Sequence, residues 1–171
     1  MIDVKIDADR LQQALLNLSN AAKNPRPVLK AIGEKMVSST KRRFETSTGP
    51  DGQPWKANSP VTIGRFVHSK KGTKTKDGKF LTKLGEKRWD HKKPLVAGGT
   101  LMQQIESRLL SDNEVVIGSS MEYAAMQQNG GKKSDFPQLW GDVPARPFLG
   151  VSSDDEEQSL DMLRAFFESK F

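Results

Sequence analysis

The chain has 171 residues, a formal net charge of +6 and no cysteine. This length suits one domain with a modest core, and the absence of cysteine excludes disulfides, thiolate catalysis and cysteine-bound zinc. The first residues lack the pattern of a secretory leader, and no apolar run approaches the length of a membrane span. We therefore expect a soluble protein without membrane contact.

The N-terminal part predicts a short strand and then a helix. Ile2, Val4 and Ile6 alternate with polar residues, as in a half-buried strand. Asp7 or Asp9 then caps the first helix. The apolar face of this helix holds Leu11, Ala14, Leu15, Leu18 and Ala22.

A second helix is predicted from about Pro25 to Thr46. Asn24 is a suitable N-cap, and proline is tolerated at the first helical position. The apolar stripe of this helix holds Val28, Leu29, Ile32, Met36 and Phe44. Amphipathic helix pairs of this kind normally form core.

From Ser47 to Pro94 the sequence is loop-like. The run Pro50-Asp51-Gly52 has turn chemistry, and we expect Trp55 to anchor the turn on the body of the domain. Aromatic residues are isolated here among lysines and glycines without a clear period, so we expect the stretch from Gly64 to Lys79 to be mobile in the free protein.

The next stretch predicts β structure. Leu95–Ala97 is typical of a strand, and the glycines Gly98 and Gly99 predict a flexible joint after it. Thr100 is a suitable cap for the turn of helix that follows. A β-hairpin is then predicted, with strands over 107–110 and 114–118.

A short helix is predicted from Met121 to Gln128, capped by Ser119 or Ser120 and ended by the permissive backbone of Asn129-Gly130-Gly131. Downstream, the two prolines of the run Pro144-Ala145-Arg146-Pro147 exclude a helix or a central strand. This run predicts a stiff, extended crossing that brings Phe148 and Leu149 into apolar contact.

The last predicted helix begins with a capping box, in which Ser153 is followed three residues later by Glu156. Together the elements predict an α+β fold: two N-terminal helices and a C-terminal helix packed on a small, mainly antiparallel sheet, with a long basic loop. We expect one domain over residues 1–171, with the mobile basic loop at about 60–93.

The sequence offers little for catalysis. His68 and His91 both lie in the lysine-rich part, without a partner at a catalytic or metal-ligand spacing. Carboxylates there are scattered singles, whereas Mg²⁺ requires a cluster, and the glycines form no phosphate-binding motif. We therefore expect neither an enzyme nor a cofactor or metal site.

The basic loop has two interpretations. As a DNA contact, it offers many phosphate-directed ammonium groups, with Phe80 and Trp89 as stacking groups. Alternatively, it is a solvated loop kept soluble by its charge. Its candidate contact residues are Lys70, Lys71, Lys74, Lys76, Lys79, Lys83, Lys87 and Arg88. The acidic residues cluster instead near the C-terminus, so the chain can also pair head to tail with copies of itself.

Arg146, between two prolines, also has two interpretations. Its guanidinium can form an ion pair across a subunit interface with the acidic run 154–157, or it can donate hydrogen bonds to nearby backbone carbonyls. Tyr123 is the only tyrosine of the chain, and a packing role suffices for it.

The order of these motifs resembles the phage virion morphogenesis family, the tail-completion proteins of Mu-like and P2-like long-tailed phages and prophages. The resemblance rests on a strand ending in Gly-Ser at 118–119, Tyr-Ala at 123–124, Gln-Asn-Gly at 128–130, the run 144–150 and a terminal helix. It covers roughly residues 11–167.

The resemblance implies a structural protein of the virion, assembled in the bacterial host cytoplasm. Such a protein acts in tail completion or head–tail joining, as a homo-oligomeric ring that contacts the tail tube and head connector proteins; the family context implies a hexamer. The resemblance also implies a third interpretation of the basic loop, in which the loop faces the lumen or rim of this ring and contacts the passing DNA without sequence specificity. The candidate assembly contacts are Gly98, Gly99, Tyr123, Gln127, Pro144, Arg146, Pro147 and Phe148. The alternative is a stand-alone DNA-binding protein that uses the basic loop.

Overall fold

A computed structural model of the chain describes residues 8–139 and 141–170, with backbone alone at 8–11. The strand predicted over 2–6 lies outside the described residues. Seven helices and two strands are described: α1 Ala8–Lys23, α2 Arg26–Thr46, α3 Pro60–His68, α4 Lys83–Asp90, α5 Thr100–Gln103, β1 Ile105–Ser111, β2 Glu114–Ser119, α6 Ala124–Asn129 and α7 Ser153–Glu168.

The chain divides into two compact units. The first contains the described residues up to Ser39, the hairpin stretch Glu106–Gly118 and the described residues from Val151 onward. The second contains Thr40–Ile105 and Ser119–Gly150. The expectation of one domain stays a prediction. Among the described residues, no helix combines the length and the apolar character needed to cross a membrane.

The helices predicted near the N-terminus are α1, which lies in the first unit, and α2, which belongs to that unit up to Ser39. Both α1 and α2 are confirmed within two residues of their predicted ends, and Val28 and Met36 are buried on α2 as expected. The predicted face of α1 is wrong in part. Leu15 is exposed and Ala21 is buried instead, because the buried stripe lies to one side of the predicted one.

Helix α2 packs on the β1–β2 hairpin through Gly33. A Cβ at this position would lie 2.8 Å from Val115 Cγ2 and 3.0 Å from Ser107 Cβ, so only glycine fits without a shift. The hairpin is confirmed as an antiparallel pair joined at 112–113 and starts two residues earlier than predicted. This pair is the only sheet within the described residues.

Helix α7 begins with a capping box, one residue earlier than predicted. Ser152 Oγ accepts the amide of Asp155, whose carboxylate accepts the amide of Ser152 at 3.0 Å. The predicted pair of Ser153 and Glu156 is therefore wrong, because Asp155 occupies the third helical position and its shorter carboxylate also reaches back.

In the second unit, the structure confirms a basic loop but makes it shorter than predicted. Helices α3 and α4 stand on either side of residues 69–82, and each begins at a hydroxyl N-cap. Ser59 Oγ accepts the amide of Thr62, and Thr82 Oγ1 accepts that of Gly85. Whether the loop is mobile stays a prediction.

The loop between α3 and α4 is tied to both helices. The buried Thr73 hydroxyl donates toward the carbonyls of Val67 and Lys70, each at 2.8 Å. Gly85 lies against the same loop, and a Cβ there would come within 2.2 Å of the Thr73 carbonyl oxygen. Lys74 and Leu81 form an antiparallel bridge, so residues 74–81 make a tight reversal.

Three short elements differ from the prediction. Leu95–Ala97 is not a strand, since Leu95 has a φ of 58° and no β partner is present among the described residues. Gly99, with φ 82°, is the N-cap of α5 in place of the predicted Thr100. Helix α6 starts three residues later than predicted, at Ala124, and its N-cap is Tyr123, so the predicted cap at Ser119 or Ser120 is wrong. It ends at Asn129, one residue after the predicted Gln128, and Gly130 of the predicted Asn129-Gly130-Gly131 end is its C-cap. The whole is an α+β fold.

Candidate assembly surface

The crossing from Val143 to Gly150 is held to α6 by backbone hydrogen bonds. Val143 pairs with Gly131 in an antiparallel bridge, and the Arg146 amide donates to the Gln127 carbonyl at 2.8 Å. Gly130 allows this close approach, since it has φ 75° and a Cβ would lie 2.8 Å from the Val143 oxygen. The predicted extended crossing is confirmed.

Gln128 clamps the crossing through its side-chain amide. Its Oε1 accepts the amides of Phe148 at 2.9 Å and Leu149 at 3.0 Å, while its Nε2 donates to the Leu149 carbonyl at 2.9 Å. A side chain thus provides the hydrogen bonds that a neighbouring strand would otherwise make. This role of Gln128 could not be predicted from local sequence, because its hydrogen-bond partners are 20 or more residues away.

Arg43 and Trp55 hold the same segment through hydrogen bonds to its backbone carbonyls. Arg43 Nη1 donates to the carbonyls of Phe148 at 2.9 Å and Gly150 at 2.8 Å, and Trp55 Nε1 donates to that of Pro147 at 2.7 Å. The crossing is therefore a rigid, well-bonded strap.

An aromatic cluster lies beneath the strap. The Phe148 side chain is fully buried, with its ring centroid 5.4 Å from that of Phe44, which in turn lies 5.3 Å from Trp55. The predictions that Trp55 anchors its turn and that Phe148 enters apolar contact are both confirmed.

Arg146 bonds to backbone carbonyls within its own chain. Its side chain is only 6% exposed, its Nε donates to the Lys56 carbonyl at 2.8 Å and its Nη2 donates to that of Ala57 at 3.0 Å. Burial lowers the pKa of the Arg146 guanidinium. Of the two interpretations, the carbonyl hydrogen bonds are the one observed; an ion pair across an interface stays a prediction.

Six of the eight candidate contact residues line one open cavity of about 520 Å³, here called the Arg146 groove. They are Gly98, Gly99, Tyr123, Gln127, Pro144 and Arg146. Pro147 and Phe148 do not line it, since Phe148 points into the aromatic cluster. The Tyr123 side chain is 43% exposed at this groove and is available to a partner.

The groove has polar as well as apolar walls and carries charge. Lys92 Nζ donates to the Val96 carbonyl at 2.7 Å, and the pKa of Lys92 is lowered first by burial and then by the positive charge of Arg146. Asp142 contributes a carboxylate to the lining and accepts the Lys133 amide. Within residues 8–139 and 141–170, no three His, Asp or Glu side chains could jointly hold a metal ion.

The basic candidates lie on the loop and on α4. The seven lysines are exposed and Arg88 is half-buried. Phe80 is 69% exposed at the loop reversal, whereas Trp89, the other proposed stacking residue, is half-buried and lies near Gly64 of α3. The structure therefore presents Phe80, but not Trp89, among the exposed lysines.

Comparison with known proteins gives one family. The model of the phage virion morphogenesis family matches residues 6–168. The chain is 27% identical over 169 residues to the Mu-like prophage FluMu G protein 2 of Haemophilus influenzae, covering 98% of this chain and 97% of that protein. It is 29% identical over 165 residues to the putative capsid assembly protein G of Escherichia phage Mu, covering 95% and 92%. No solved structure matches.

Proposed function

Because the chain belongs to the phage virion morphogenesis family, we propose that it is a non-enzymatic structural protein acting in tail completion or head–tail joining. It assembles as a closed ring at the end of the tail tube. Assembly takes place in the cytoplasm of the bacterial host, and the protein stays in the virion. Its partners are copies of itself, the tail tube and the head connector.

The observation that carries this proposal is the arrangement of the Arg146 groove. Candidate contact residues separated by up to 48 positions of sequence, from Gly98 to Arg146, line the same open cavity. The strap beside it is fixed by the side chains of Arg43, Trp55 and Gln128, so the groove is preformed. A preformed surface loses little entropy on binding, which suits a protein that associates during assembly.

The groove has the chemistry of a protein contact. Tyr123 supplies an exposed aromatic side chain, and aromatic residues are enriched at interface centres. The polar groups around it, including Gln127 and Asp142, can form a rim of hydrogen bonds. We assign this groove to the tail tube or the head connector, and a copy-to-copy contact to another surface.

One observation favours a second candidate, a stand-alone DNA-binding protein. The basic loop presents exposed lysines together with the exposed ring of Phe80, a combination suited to phosphates and to base stacking. A protein of this kind binds duplex DNA as a monomer or dimer, with an affinity that falls steeply as salt rises.

Light scattering coupled to size exclusion separates the two functions. The protein is run over a concentration series at low and moderate salt, alone and with the tail tube protein of the same phage. The assembly function is supported if the protein alone has the mass of a discrete ring. It is also supported if a monomer reaches that mass as its concentration rises or when the tail tube protein is added. The second candidate is supported if the protein stays monomeric, does not bind the tail tube protein and binds duplex DNA with an affinity that falls steeply as salt rises.

A further inference from the structure

A second cavity, of about 500 Å³, lies along α4 and is here called the α4 groove. Its floor is apolar and consists of Phe66, Leu84, Val96 and Ala97. Its rim is basic and consists of Lys87, Arg88, His91, Lys92 and Lys93. No Asp or Glu of the described residues lines it, so the groove is an uncompensated positive site.

The groove is built by the packing of α3 and α4. Lys92 Nζ lies 4.9 Å from the centre of the Phe66 ring, which orients the cation over the floor. Leu84 is an exposed large hydrophobic residue on α4, one turn before Arg88. The surface therefore combines an apolar contact with charges at its margin.

This combination selects the chemistry of the occupant. The apolar floor requires an apolar side chain, and the cationic rim requires carboxylates close to that side chain. A nucleic acid backbone offers the negative charge but places no apolar group on the floor. An acidic amphipathic helix offers both, since residues three and four positions apart share one face.

The chain presents such a helix face on α7. Four exposed residues at helical spacing share one side of α7: Glu156, Glu157, Leu160 and Asp161. Leu160 is 46% exposed and lies between acidic residues of this face, so an apolar side chain is available there to a partner. Asp161 pairs with Arg164 at 3.0 Å, whereas Glu156 and Glu157 make no ion pair with any described residue.

We propose that the α4 groove of one copy receives the acidic α7 face of a second copy. Leu160 contacts the apolar floor, and Glu157 faces the basic rim beside Lys87. The two surfaces lie in different parts of the chain, so the contact is heterologous and leaves each pair with one free groove and one free helix face. Repetition of this contact extends the assembly until it closes.

The inference rests on the proposed function only in requiring self-association. It adds the surfaces that meet, which the Arg146 groove does not supply. Lys92 and Ala97 line both grooves. The surface proposed to bind a second copy therefore adjoins the surface proposed to bind other virion proteins.

Two variants each destroy one half of the contact. The groove variant is Leu84→Ser/Lys87→Glu, and the helix variant is Glu157→Lys/Leu160→Ser. A matched control, Lys79→Glu/Phe80→Ser, makes the same kind of change at the exposed loop, outside both surfaces. Circular dichroism and thermal unfolding first establish that each protein is folded; Leu84→Ala and Leu160→Ala replace any variant that is not.

We expect each variant alone to self-associate at least about tenfold more weakly than the wild type, as unlike charges become like charges at the contact. The control is expected to self-associate as strongly as the wild type does. Mixing the groove and helix variants is expected to restore association at least to a one-to-one dimer, because the mixture holds one intact groove and one intact helix face. Light scattering measures all of these masses.

The outcomes separate the inference from the proposed function. A wild type that assembles while both variants assemble equally well overturns this contact and leaves the proposed ring intact. A mixture of variants that stays monomeric also overturns it. A wild type that is monomeric at every concentration, with or without the tail tube, contradicts both. A groove variant that loses only DNA binding assigns the groove to DNA instead.

Discussion

Replacing Arg146 by alanine separates the structural role of this side chain from a role at an interface. The guanidinium donates two hydrogen bonds to the carbonyls of Lys56 and Ala57, and it is almost fully buried. Removing it frees both carbonyls and opens space beside the strap. If the hydrogen bonds are its main role, the isolated protein loses stability.

The size of the loss follows from the two bonds. Hydrogen bonds to a charged group contribute about 1.5–3 kcal/mol each. Lys56 and Ala57 are exposed residues, so in the variant water can donate hydrogen bonds to their carbonyls in place of the guanidinium. Burial also disfavours the charged form of the guanidinium, which offsets part of the stabilisation that its hydrogen bonds provide. Both effects reduce the loss below the sum of about 3–6 kcal/mol that the two bonds alone would give, and we therefore expect the free energy of unfolding to fall by about 2 kcal/mol.

Urea unfolding followed by circular dichroism measures this change. Arg146→Lys is expected to recover less than half of the loss, because an ammonium lacks the planar fork that reaches two carbonyls. Arg108→Ala, on the exposed side of β1, is the control and should lie within about 0.5 kcal/mol of the wild type. An Arg146→Ala protein of wild-type stability that no longer assembles would refute the reasoning and favour the ion pair across an interface.

Two further predictions concern the α3–α4 region. Gly85→Ala should destabilise the protein, since its Cβ would clash with the Thr73 carbonyl. Gly64→Ala on α3 meets only ordinary contact and should stabilise the protein by up to about 1 kcal/mol in the same urea unfolding assay; equal effects of the two substitutions would contradict the packing. At the loop reversal, hydrogen bonds from the Thr75 hydroxyl and then the Lys79 amide lower the pKa of Asp77. Its contribution to stability is thus present above the ordinary aspartate pKa of 3.8 and is lost as pH falls through the lower folded value; Thr75→Val should raise the Asp77 pKa in an NMR titration, and an unchanged value would exclude the hydroxyl as the cause.

Periodic segments could be predicted well from sequence. The amphipathic spacing of α2, the alternation and turn of the hairpin and the glycine end of α6 are local patterns, and each appears in the structure. The strap could also be predicted, because two prolines restrict the backbone whatever surrounds it. Errors at these elements are small and lie at their ends, such as the one-residue shift of the capping box at Ser152.

Long-range contacts could not be predicted. The hydrogen bonds from Gln128 and Arg43 to the strap join residues 20 and 105 positions apart and leave no periodic trace in the sequence. Helices α3 and α4 were missed because they are short and rich in lysine and glycine. The sequence nevertheless contains the N-cap signals of both helices, since Ser59 precedes Pro60 and Thr82 precedes the α4 segment. The Arg146 groove could not be predicted, because its lining residues are far apart in sequence and are brought together only by the fold.

The most direct test of a role in virion assembly is to delete the gene from the phage genome that encodes this chain and to examine the lysate by electron microscopy. The account predicts separate heads and tails, a loss of infectious titre, and recovery of joined particles when the wild-type protein is supplied in trans. Joined particles with full infectivity in the absence of the protein would contradict the central claim.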